Sequence, residues 1–205
     1  MNTSTADNSQ FGFPRMPLTL QLRQYQREAI ANWFANNGRG TLKMATGSGK
    51  TITALAIATE LYNKINLQVL LVICPYCHLV NQWARESQKF GLKPILAFED
   101  SRSWQNQLAA GLYEVRASSR ASLRGDSLRD SCASRQFLTI ITTNATLMLD
   151  SLQSQLRYFP EKTLIVGDEV HNLGAPRLEQ SLPRNIGLRL ALSATPERHF
   201  DEQGT

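Results

Sequence analysis

Hydrophobic and polar positions alternate along this chain with two different periods. Apolar residues recur every three or four positions at 22–33, 50–62, 79–90, 103–115 and 145–156, which predicts helices there. Shorter apolar segments predict β-strands at 41–44, 68–73, 94–98, 137–142, 163–167 and 187–192. The predicted strands and helices alternate along most of the chain, and this order favours an α/β fold.

Two of the predicted strands are apolar on both of their faces. The runs VLLVI, which starts at Val69, and TLIV, which starts at Thr163, are almost continuously apolar. Such strands are typical of parallel sheets with helices on both sides, because neither face of the strand meets water. The sequence therefore predicts a three-layer α/β fold with a mostly parallel sheet and helices on both faces.

Two polar segments are predicted to lie outside this layered core. Residues 1–17 are predicted to form a flexible leader, so that the folded domain spans residues 18–205. Residues 116–135 consist mainly of serine and arginine and are predicted to form a surface excursion between a helix and a strand. This excursion fits either a solvated loop or a flexible basic flap near nucleic acid, and the sequence leaves both open.

Length, composition and charge limit the class of protein. With 205 residues, of which 42% are hydrophobic, the chain can form one full-sized domain with its own core. Its longest apolar run, Val69–Cys74, is far shorter than the ~20 residues of a membrane-spanning helix, and the polar N-terminus does not resemble a signal peptide. We therefore expect a soluble, cytoplasmic protein without a membrane partner. The net charge of +5 permits nucleic acid as a partner but does not establish it.

A glycine-rich segment between a predicted strand and a predicted helix has the pattern of a phosphate-binding loop. Residues 44–51 read MATGSGKT, although the strict pattern begins with glycine where this chain has Met44. Glycines let consecutive backbone N–H groups turn towards an anion, and the following helix adds its positive N-terminal end. Lys50 is predicted to bind β- and γ-phosphates, and the Thr51 hydroxyl to bind Mg²⁺. The predicted nucleotide-binding residues of this loop are Thr46, Gly47, Ser48, Gly49, Lys50 and Thr51.

Two adjacent carboxylates follow the strand predicted at 163–167. Asp168 is placed to hold Mg²⁺, and Glu169 is placed to take a proton from an attacking water molecule. Two neighbouring acids at the end of an apolar strand also fit a solvated strand end, but a phosphate loop requires a carboxylate that holds its metal ion. The predicted catalytic residues are therefore Glu169, Lys50 and Asp168.

Three motifs in this order resemble those of a known family. The segments MATGSGKT at 44–51, DEVH at 168–171 and SAT at 193–195 are similar to motifs of superfamily two helicases and translocases of the DEAD/DEAH type. Members of that family often lack glycine at the first position of the loop, so Met44 agrees with the resemblance. The resemblance covers residues 18–200 and implies the first RecA-like domain of a motor that uses ATP and Mg²⁺ to move along nucleic acid.

The resemblance also implies roles for residues outside the loop and the carboxylates. Gln26, in the segment LRQYQ, corresponds to the residue that recognises the adenine base. Three residues lie in segments where the family contacts the nucleic-acid backbone: Pro75, Gln82 and Thr143. Three others correspond to residues that couple the state of the nucleotide to the grip on nucleic acid: His171, Ser193 and Thr195.

The resemblance favours DNA over RNA. The segment LRQYQREAI is more similar to restriction-enzyme motor subunits and excision-repair helicases than to RNA-acting DEAD-box proteins. Family members close two RecA-like domains around ATP, whereas this sequence ends ten residues after Thr195, so full activity is expected to need a second such domain in cis or in trans. The alternatives are a module that binds ATP and nucleic acid without turnover of its own, and an RNA helicase domain. A small-molecule kinase fits least, because it does not predict the SAT segment.

The cysteine and tryptophan residues are predicted to have structural roles and not catalytic ones. Cys74 and Cys77 form a C-x-x-C pair, but the chain has no second pair to complete a zinc site, and its third cysteine is the distant Cys132. A disulfide framework is not indicated by three cysteines. The tryptophans lie on predicted helices and are expected to be core or interface residues: Trp33, Trp83 and Trp104.

Overall fold

A computed structural model describes residues 12–98, 101–123, 136–169 and 181–194 of the chain. The strands are β1 (Arg39–Lys43), β2 (Val69–Cys74), β3 (Pro94–Ala97), β4 (Leu138–Thr143), β5 (Thr163–Gly167) and β6 (Leu188–Ser193). The helices are α1 (Gln24–Ala35), α2 (Lys50–Ile65), α3 (Cys77–Lys89), α4 (Ser101–Leu123), α5 (Asn144–Leu147) and α6 (Asp150–Leu156). Within these ranges no helix is both long enough and apolar enough to cross a membrane.

The strands of the described residues form one parallel sheet in the order β1-β6-β5-β2-β4-β3. Strand β2 lies at its centre, and Leu71 is paired with Ile140 of β4 and with Ile165 of β5. Because all the strands run in the same direction, their carboxyl ends meet at one edge of the sheet. The predicted α/β fold with a parallel sheet is confirmed, and each predicted strand is present within two residues of its expected bounds.

Helices cover both faces of the sheet, and the alternation of residues in β2 shows how. Successive side chains of a strand point to opposite faces. One half of β2 packs with α1, α2 and α3, and this half consists of Leu70, Val72 and Cys74. The other half packs with α4, α5 and α6, and it consists of Val69, Leu71 and Ile73. The continuous apolar run of β2 therefore fills two cores, as expected for a buried parallel strand.

The tryptophans are core residues, as predicted. Trp33 and Trp83 belong to the core on the α1–α3 side, and Trp104 belongs to the core on the α4–α6 side. Each is at most 3% exposed. Their large apolar surfaces therefore contribute mainly to packing between helices and sheet.

Two helices differ from the predicted ones. The segment expected to be one helix at 145–156 forms α5 and α6, because Leu149 adopts an extended backbone with ψ of 141° between them. Helix α4 continues to Leu123, so residues 116–123 are helical and the prediction of an excursion is wrong for them. Alanine and arginine favour helix, and the Ser119 hydroxyl donates to the Val115 carbonyl at 2.9 Å. Residues 124–135 lie outside the described residues.

The end of the predicted leader packs against the domain. Gly12 and Pro14 are buried, and the N–H of Arg15 donates to the carbonyl of Phe90 at 2.9 Å. The ring of Phe13 lies 6.5 Å from that of Tyr62 on α2, measured between centroids. The expectation of a loose leader is thus wrong for residues 12–15, because contacts far along the chain hold them in place. Residues 1–11 lie outside the described part of the chain.

Candidate active site

The carboxyl-terminal edge of the sheet collects the motifs that can carry chemistry. The phosphate loop follows β1 and the two acids follow β5, while β6 lies between these strands. The Ser193 carbonyl, at the end of β6, accepts the N–H of Met44 at 3.2 Å. The N–H of Asp168 donates to the Ile73 carbonyl of β2 at 2.8 Å. The parallel sheet therefore joins segments that are distant in sequence at one edge.

Two glycines give the phosphate loop its shape. Gly47 has a φ of 76° and Gly49 a φ of 87°, in the left-handed region that suits glycine. A Cβ at Gly49 would also lie only 2.7 Å from Nε2 of Gln26. The loop turns directly into α2, whose first two residues are Lys50 and Thr51. A glycine-rich turn that leads into the N-terminus of a helix is an arrangement that binds phosphate groups.

The first turn of α1 braces the phosphate loop. The Tyr25 hydroxyl donates to the Ser48 carbonyl at 2.6 Å, and Nε2 of Gln26 donates to the same oxygen at 3.3 Å. The Oε1 of Gln26 accepts the N–H of Arg23 at 2.9 Å. Both ends of the buried Gln26 amide are thus bound within the chain. Gln26 holds the loop to α1, and its contact with adenine stays a prediction.

Lys50 lies between the loop and the acids. Its Nζ donates to the Met44 carbonyl at 3.2 Å and lies 3.8 Å from Oε1 of Glu169. The side chains of Lys50 and Glu169 are 11% and 24% exposed, so water screens this ion pair only in part. The ammonium group is therefore located beside the strand end that carries the carboxylates, as a phosphate-binding lysine requires.

Asp168 is a buried carboxylate with specific partners. It is 7% exposed, and its Oδ2 accepts a hydrogen bond from Nε1 of Trp83 at 2.8 Å. The pKa of the Asp168 carboxyl is raised, mainly by burial and further by the negative charge of Glu169. The hydrogen bond from Trp83 and the positive charge of Lys50 lower this pKa in part. A cation bound at this carboxylate would stabilise its negative charge. The environment of Asp168 thus favours a metal ligand.

Glu169 has an unusual backbone conformation. Its φ is 49°, in the left-handed region that residues other than glycine seldom adopt. Such a conformation costs about 1–3 kcal/mol and persists where the surrounding structure imposes it, often at active sites. With this backbone, the carboxylate that follows β5 lies beside Lys50. The strain therefore accompanies a position suited to catalysis.

The donor atoms of the site fit a magnesium ion and a triphosphate. Asp168 supplies a carboxylate and Thr51 a hydroxyl, and both are the oxygen donors that Mg²⁺ prefers. Across the described ranges, no group of three or more His, Cys, Asp and Glu residues could hold a metal ion by itself. Magnesium that is bound partly through substrate phosphates does not need such a group. Asp168 and Thr51 would hold the ion, whose charge would neutralise the phosphate oxygens.

The remaining predicted site residues that the structure describes lie at the same carboxyl-terminal edge of the sheet. Ser193 is the last residue of β6 and is paired with Lys43, directly before the phosphate loop. Thr46 is exposed within the loop. His171 and Thr195 lie outside the described residues, so their coupling role remains a prediction from the resemblance.

The predicted nucleic-acid contacts lie near the ends of β2 and β4. Pro75 follows β2 and is half-buried, while Gln82 is exposed on α3. Thr143 is 5% exposed, and its hydroxyl accepts the N–H of Thr146 at 3.2 Å, which caps α5. The Thr143 hydroxyl therefore stabilises the start of a helix, and a contact with nucleic acid would have to involve other atoms of this turn.

Three features of this edge were missed by sequence reasoning. The first is the Tyr25 hydroxyl, which could have been suspected because Tyr25 precedes Gln26 in the same helical turn. The second is an exposed aromatic stack of Tyr76 on His78, with centroids 5.6 Å apart and planes 9° apart. The third is the hydrogen bond from Trp83 to Asp168. It joins residues 85 positions apart, so no local pattern reveals it.

The C-x-x-C pair consists of one buried and one exposed cysteine. Both thiols are free, with Cys74 buried and Cys77 exposed. Burial raises the pKa of the Cys74 thiol, and the charge of Asp168 raises it further. A thiol that stays protonated is a poor nucleophile and a poor metal ligand. Cys132 lies outside the described residues.

Comparison with known proteins identifies relatives over most of the chain. The family model "Type III restriction enzyme, res subunit" matches residues 19–198. The DNA 3'-5' translocase XPB2 of Sulfurisphaera tokodaii is 28% identical over 190 residues, which cover 91% of this chain and 33% of that protein. An uncharacterized protein of Mycobacterium tuberculosis is 29% identical over 185 residues, which cover 88% of this chain and 26% of that protein. The chain thus spans a quarter to a third of the length of these relatives.

A solved structure shares the fold. The Sulfolobus solfataricus SWI2/SNF2 ATPase core in complex with dsDNA superposes with a TM-score of 0.59 at 24% sequence identity. The match covers 89% of this chain and 34% of that one. It shows that the layered fold of this chain also occurs in that protein.

Proposed function

Because the chain belongs to the type III restriction enzyme res subunit family and is a superfamily two helicase-type N-terminal domain, we propose that it binds and hydrolyses Mg-ATP to drive movement along DNA. One observation carries this proposal. Lys50 from the phosphate loop and Glu169 from the end of β5 lie 3.8 Å apart, and Asp168 immediately precedes Glu169. The residues proposed to bind phosphate, to hold magnesium and to act as the general base are thus neighbours at one edge of the sheet.

The phosphate loop and Lys50 would bind the triphosphate. Backbone N–H groups of the glycine-rich turn would donate to phosphate oxygens, and the N-terminus of α2 would add its partial positive charge. Lys50 would place its ammonium group on the β- and γ-phosphates. Tyr25 and Gln26 donate hydrogen bonds to the Ser48 carbonyl, and we expect these bonds to hold the loop in a shape that can bind phosphate.

Glu169 would act as the general base. The oxygen of a water molecule forms a bond to the γ-phosphorus, the bond from that phosphorus to the bridging oxygen breaks, and Glu169 takes the proton of the water. Lys50 would stabilise the charge on the phosphate oxygens during this transfer. In P-loop enzymes an arginine from a second domain or partner often adds a large further acceleration. A second RecA-like domain, in cis or in trans, is therefore part of this proposal.

DNA is the proposed nucleic acid. Support comes from the relative named a DNA 3'-5' translocase and from the dsDNA complex of the similar fold. On this chain, the stacked Tyr76 and His78 present aromatic groups to solvent at the start of α3, and Gln82 presents a polar group further along the helix. The net charge of +5 is compatible with a polyanionic partner. Movement of the whole motor along DNA is inferred from relatives longer than this chain.

The experiment that tests the proposed function is a steady-state measurement of ATP turnover with and without duplex DNA or RNA. Glu169→Gln should abolish turnover but keep Mg-ATP binding, because glutamine has nearly the same shape but cannot accept the proton. Glu161→Gln is the matched control, because Glu161 is exposed just before β5 and Glu169 follows the same strand. We expect a low rate that duplex DNA stimulates more than RNA.

Three outcomes would contradict parts of this account. A Glu169→Gln variant that turns over ATP at the parent rate would remove the general-base assignment. Stimulation by RNA but not by DNA would favour an RNA helicase domain. A chain that binds Mg-ATP but does not hydrolyse it, even with DNA and a second RecA-like domain supplied, would be a binding module.

A further inference from the structure

The buried indole of Trp83 makes a specific bond to the active site. Trp83 is 1% exposed on α3, and its Nε1 donates to Oδ2 of Asp168 at 2.8 Å. An indole has one polar atom, a donor, and hydrogen bonds to a carboxylate are stronger than those between neutral groups. The bond therefore joins α3 directly to the carboxylate that is proposed to hold magnesium.

This bond fixes the orientation of the carboxylate. Trp83 holds Oδ2, the backbone N–H of Glu169 also hydrogen-bonds the carboxylate, and the Asp168 N–H is bound to the Ile73 carbonyl. Asp168 as a residue is only 7% exposed, so its carboxylate has little access to other hydrogen-bond partners. Residues that hydrogen-bond a metal ligand set its position and commonly change metal affinity when they are replaced.

The opposite face of α3 is available to a partner. The buried residues of this helix are Val80, Trp83, Ala84 and Ser87. The exposed residues next to Trp83 include Gln82 and Arg85, and the exposed Tyr76–His78 stack lies at the start of the helix. The proposed function assigns DNA contact to Gln82, Tyr76 and His78 of this set. Helix α3 thus carries the surface proposed to contact DNA on one side and the hydrogen-bond donor to Asp168 on the other.

We propose that Trp83 is a positioning residue that couples DNA bound along α3 to the metal-holding carboxylate of Asp168. A shift of α3 on DNA moves the indole N–H and with it Oδ2, which changes how well Asp168 and Thr51 hold magnesium with the nucleotide. This inference rests on the proposed function and goes beyond it, because it names the side chain through which DNA acts on the ATP site. A purely structural Trp83 would fill the core and have no effect on this coupling.

The test compares two variants, each of which replaces one buried tryptophan and so removes one indole N–H donor. Trp83→Phe keeps an aromatic ring but removes the bond to Asp168. Trp33→Phe is the matched control, because Trp33 is also buried and its Nε1 donates to the Arg189 carbonyl at 3.2 Å, which is not a metal ligand. The readouts are the Mg²⁺ concentration needed for half-maximal binding of a fluorescent ATP analogue, and the change in analogue affinity when duplex DNA is added. Thermal unfolding of both variants shows that they are folded.

For Trp83→Phe, the Mg²⁺ concentration needed for half-maximal binding of the analogue should rise at least about tenfold, which is the effect commonly seen when a hydrogen-bond partner of a metal ligand is removed. This variant should also lose most of the change in analogue affinity that duplex DNA causes. Trp33→Phe should keep both properties of the parent chain, even if its melting temperature falls. A folded Trp83→Phe variant with the parent Mg²⁺ requirement and DNA response would overturn the coupling.

The same binding measurement on the parent chain separates a failure of the proposed function from a failure of the coupling. A parent chain that does not bind the analogue at any Mg²⁺ concentration would refute ATP binding, and the coupling with it. A parent chain that binds the analogue with Mg²⁺ but shows no response to DNA would overturn the coupling while leaving ATP binding intact.

Discussion

Replacing Gly49 by alanine should destabilise the chain more than the same change at Gly47. Both residues have a left-handed backbone, with φ of 87° and 76°. This conformation costs a residue with a Cβ about 1–2 kcal/mol. Alanine also restricts the unfolded chain to a similar extent at both positions. These two contributions therefore largely cancel when the two variants are compared.

The difference arises from what a new Cβ would meet. At Gly47 nothing lies within 4 Å of it, whereas at Gly49 it would lie 2.7 Å from Nε2 of Gln26. The Gln26 amide would have to move away from the Ser48 carbonyl and from the Arg23 N–H. Each of these hydrogen bonds contributes about 0.5–1.5 kcal/mol. Gly49→Ala should therefore cost about 1–3 kcal/mol more than Gly47→Ala in the free energy of unfolding.

Urea denaturation followed by circular dichroism measures this difference. A double-mutant cycle with Gln26→Ala supplies the decisive control, because removing the Gln26 amide removes the collision at Gly49 and leaves Gly47 unaffected. In the Gln26→Ala background the two glycine variants should lose similar amounts of stability. Equal losses in the parent background, or a difference that persists without Gln26, would refute the view that Gln26 braces the loop.

Two further predictions concern single side chains of the same edge. Asp168→Asn should raise the melting temperature of the chain without ligands, because burial disfavours the charged carboxylate and asparagine can still accept the Trp83 hydrogen bond. The same change should weaken Mg²⁺-dependent nucleotide binding. A lower melting temperature would contradict the assigned cost of the buried charge. Thr143→Ala should lower the free energy of unfolding by about 1 kcal/mol, which is typical of losing a helix cap, because the Thr143 hydroxyl accepts a hydrogen bond from the Thr146 N–H. Unchanged stability in urea denaturation would contradict this capping role.

The fold was predictable where the pattern of buried residues is local. Strands β2 and β5 are nearly continuous apolar runs between polar segments, and this pattern indicates both their positions and their coverage on two faces. Residues 116–123 are helical although the sequence predicts an excursion, because their serine and arginine content suggests solvent while arginine is also a good helix former. The packing of residues 12–15 was missed because it depends on Phe90 and Tyr62, which are distant in sequence.

The candidate site divides in the same way. The phosphate loop and the acids after β5 each form a short continuous motif, so residue types and spacing are enough to indicate their chemistry. The brace from Tyr25 to Ser48 and the bond from Trp83 to Asp168 depend on which segments the fold brings side by side. The left-handed backbone of Glu169 is equally invisible in the sequence, because nothing in its residue type favours that conformation.

The measurement that tests the central claim most directly is the affinity of the chain for Mg-ATP when Lys50 is replaced by alanine. Lys64→Ala is the matched control, because Lys64 lies near the other end of α2 and its side chain is 60% exposed. In a calorimetric titration, Lys50→Ala should weaken Mg-ATP binding at least about tenfold, or about 1.4 kcal/mol, while Lys64→Ala binds like the parent chain. A folded Lys50→Ala variant that binds Mg-ATP with the affinity of the parent chain would contradict the assignment of residues 44–51 as the nucleotide site.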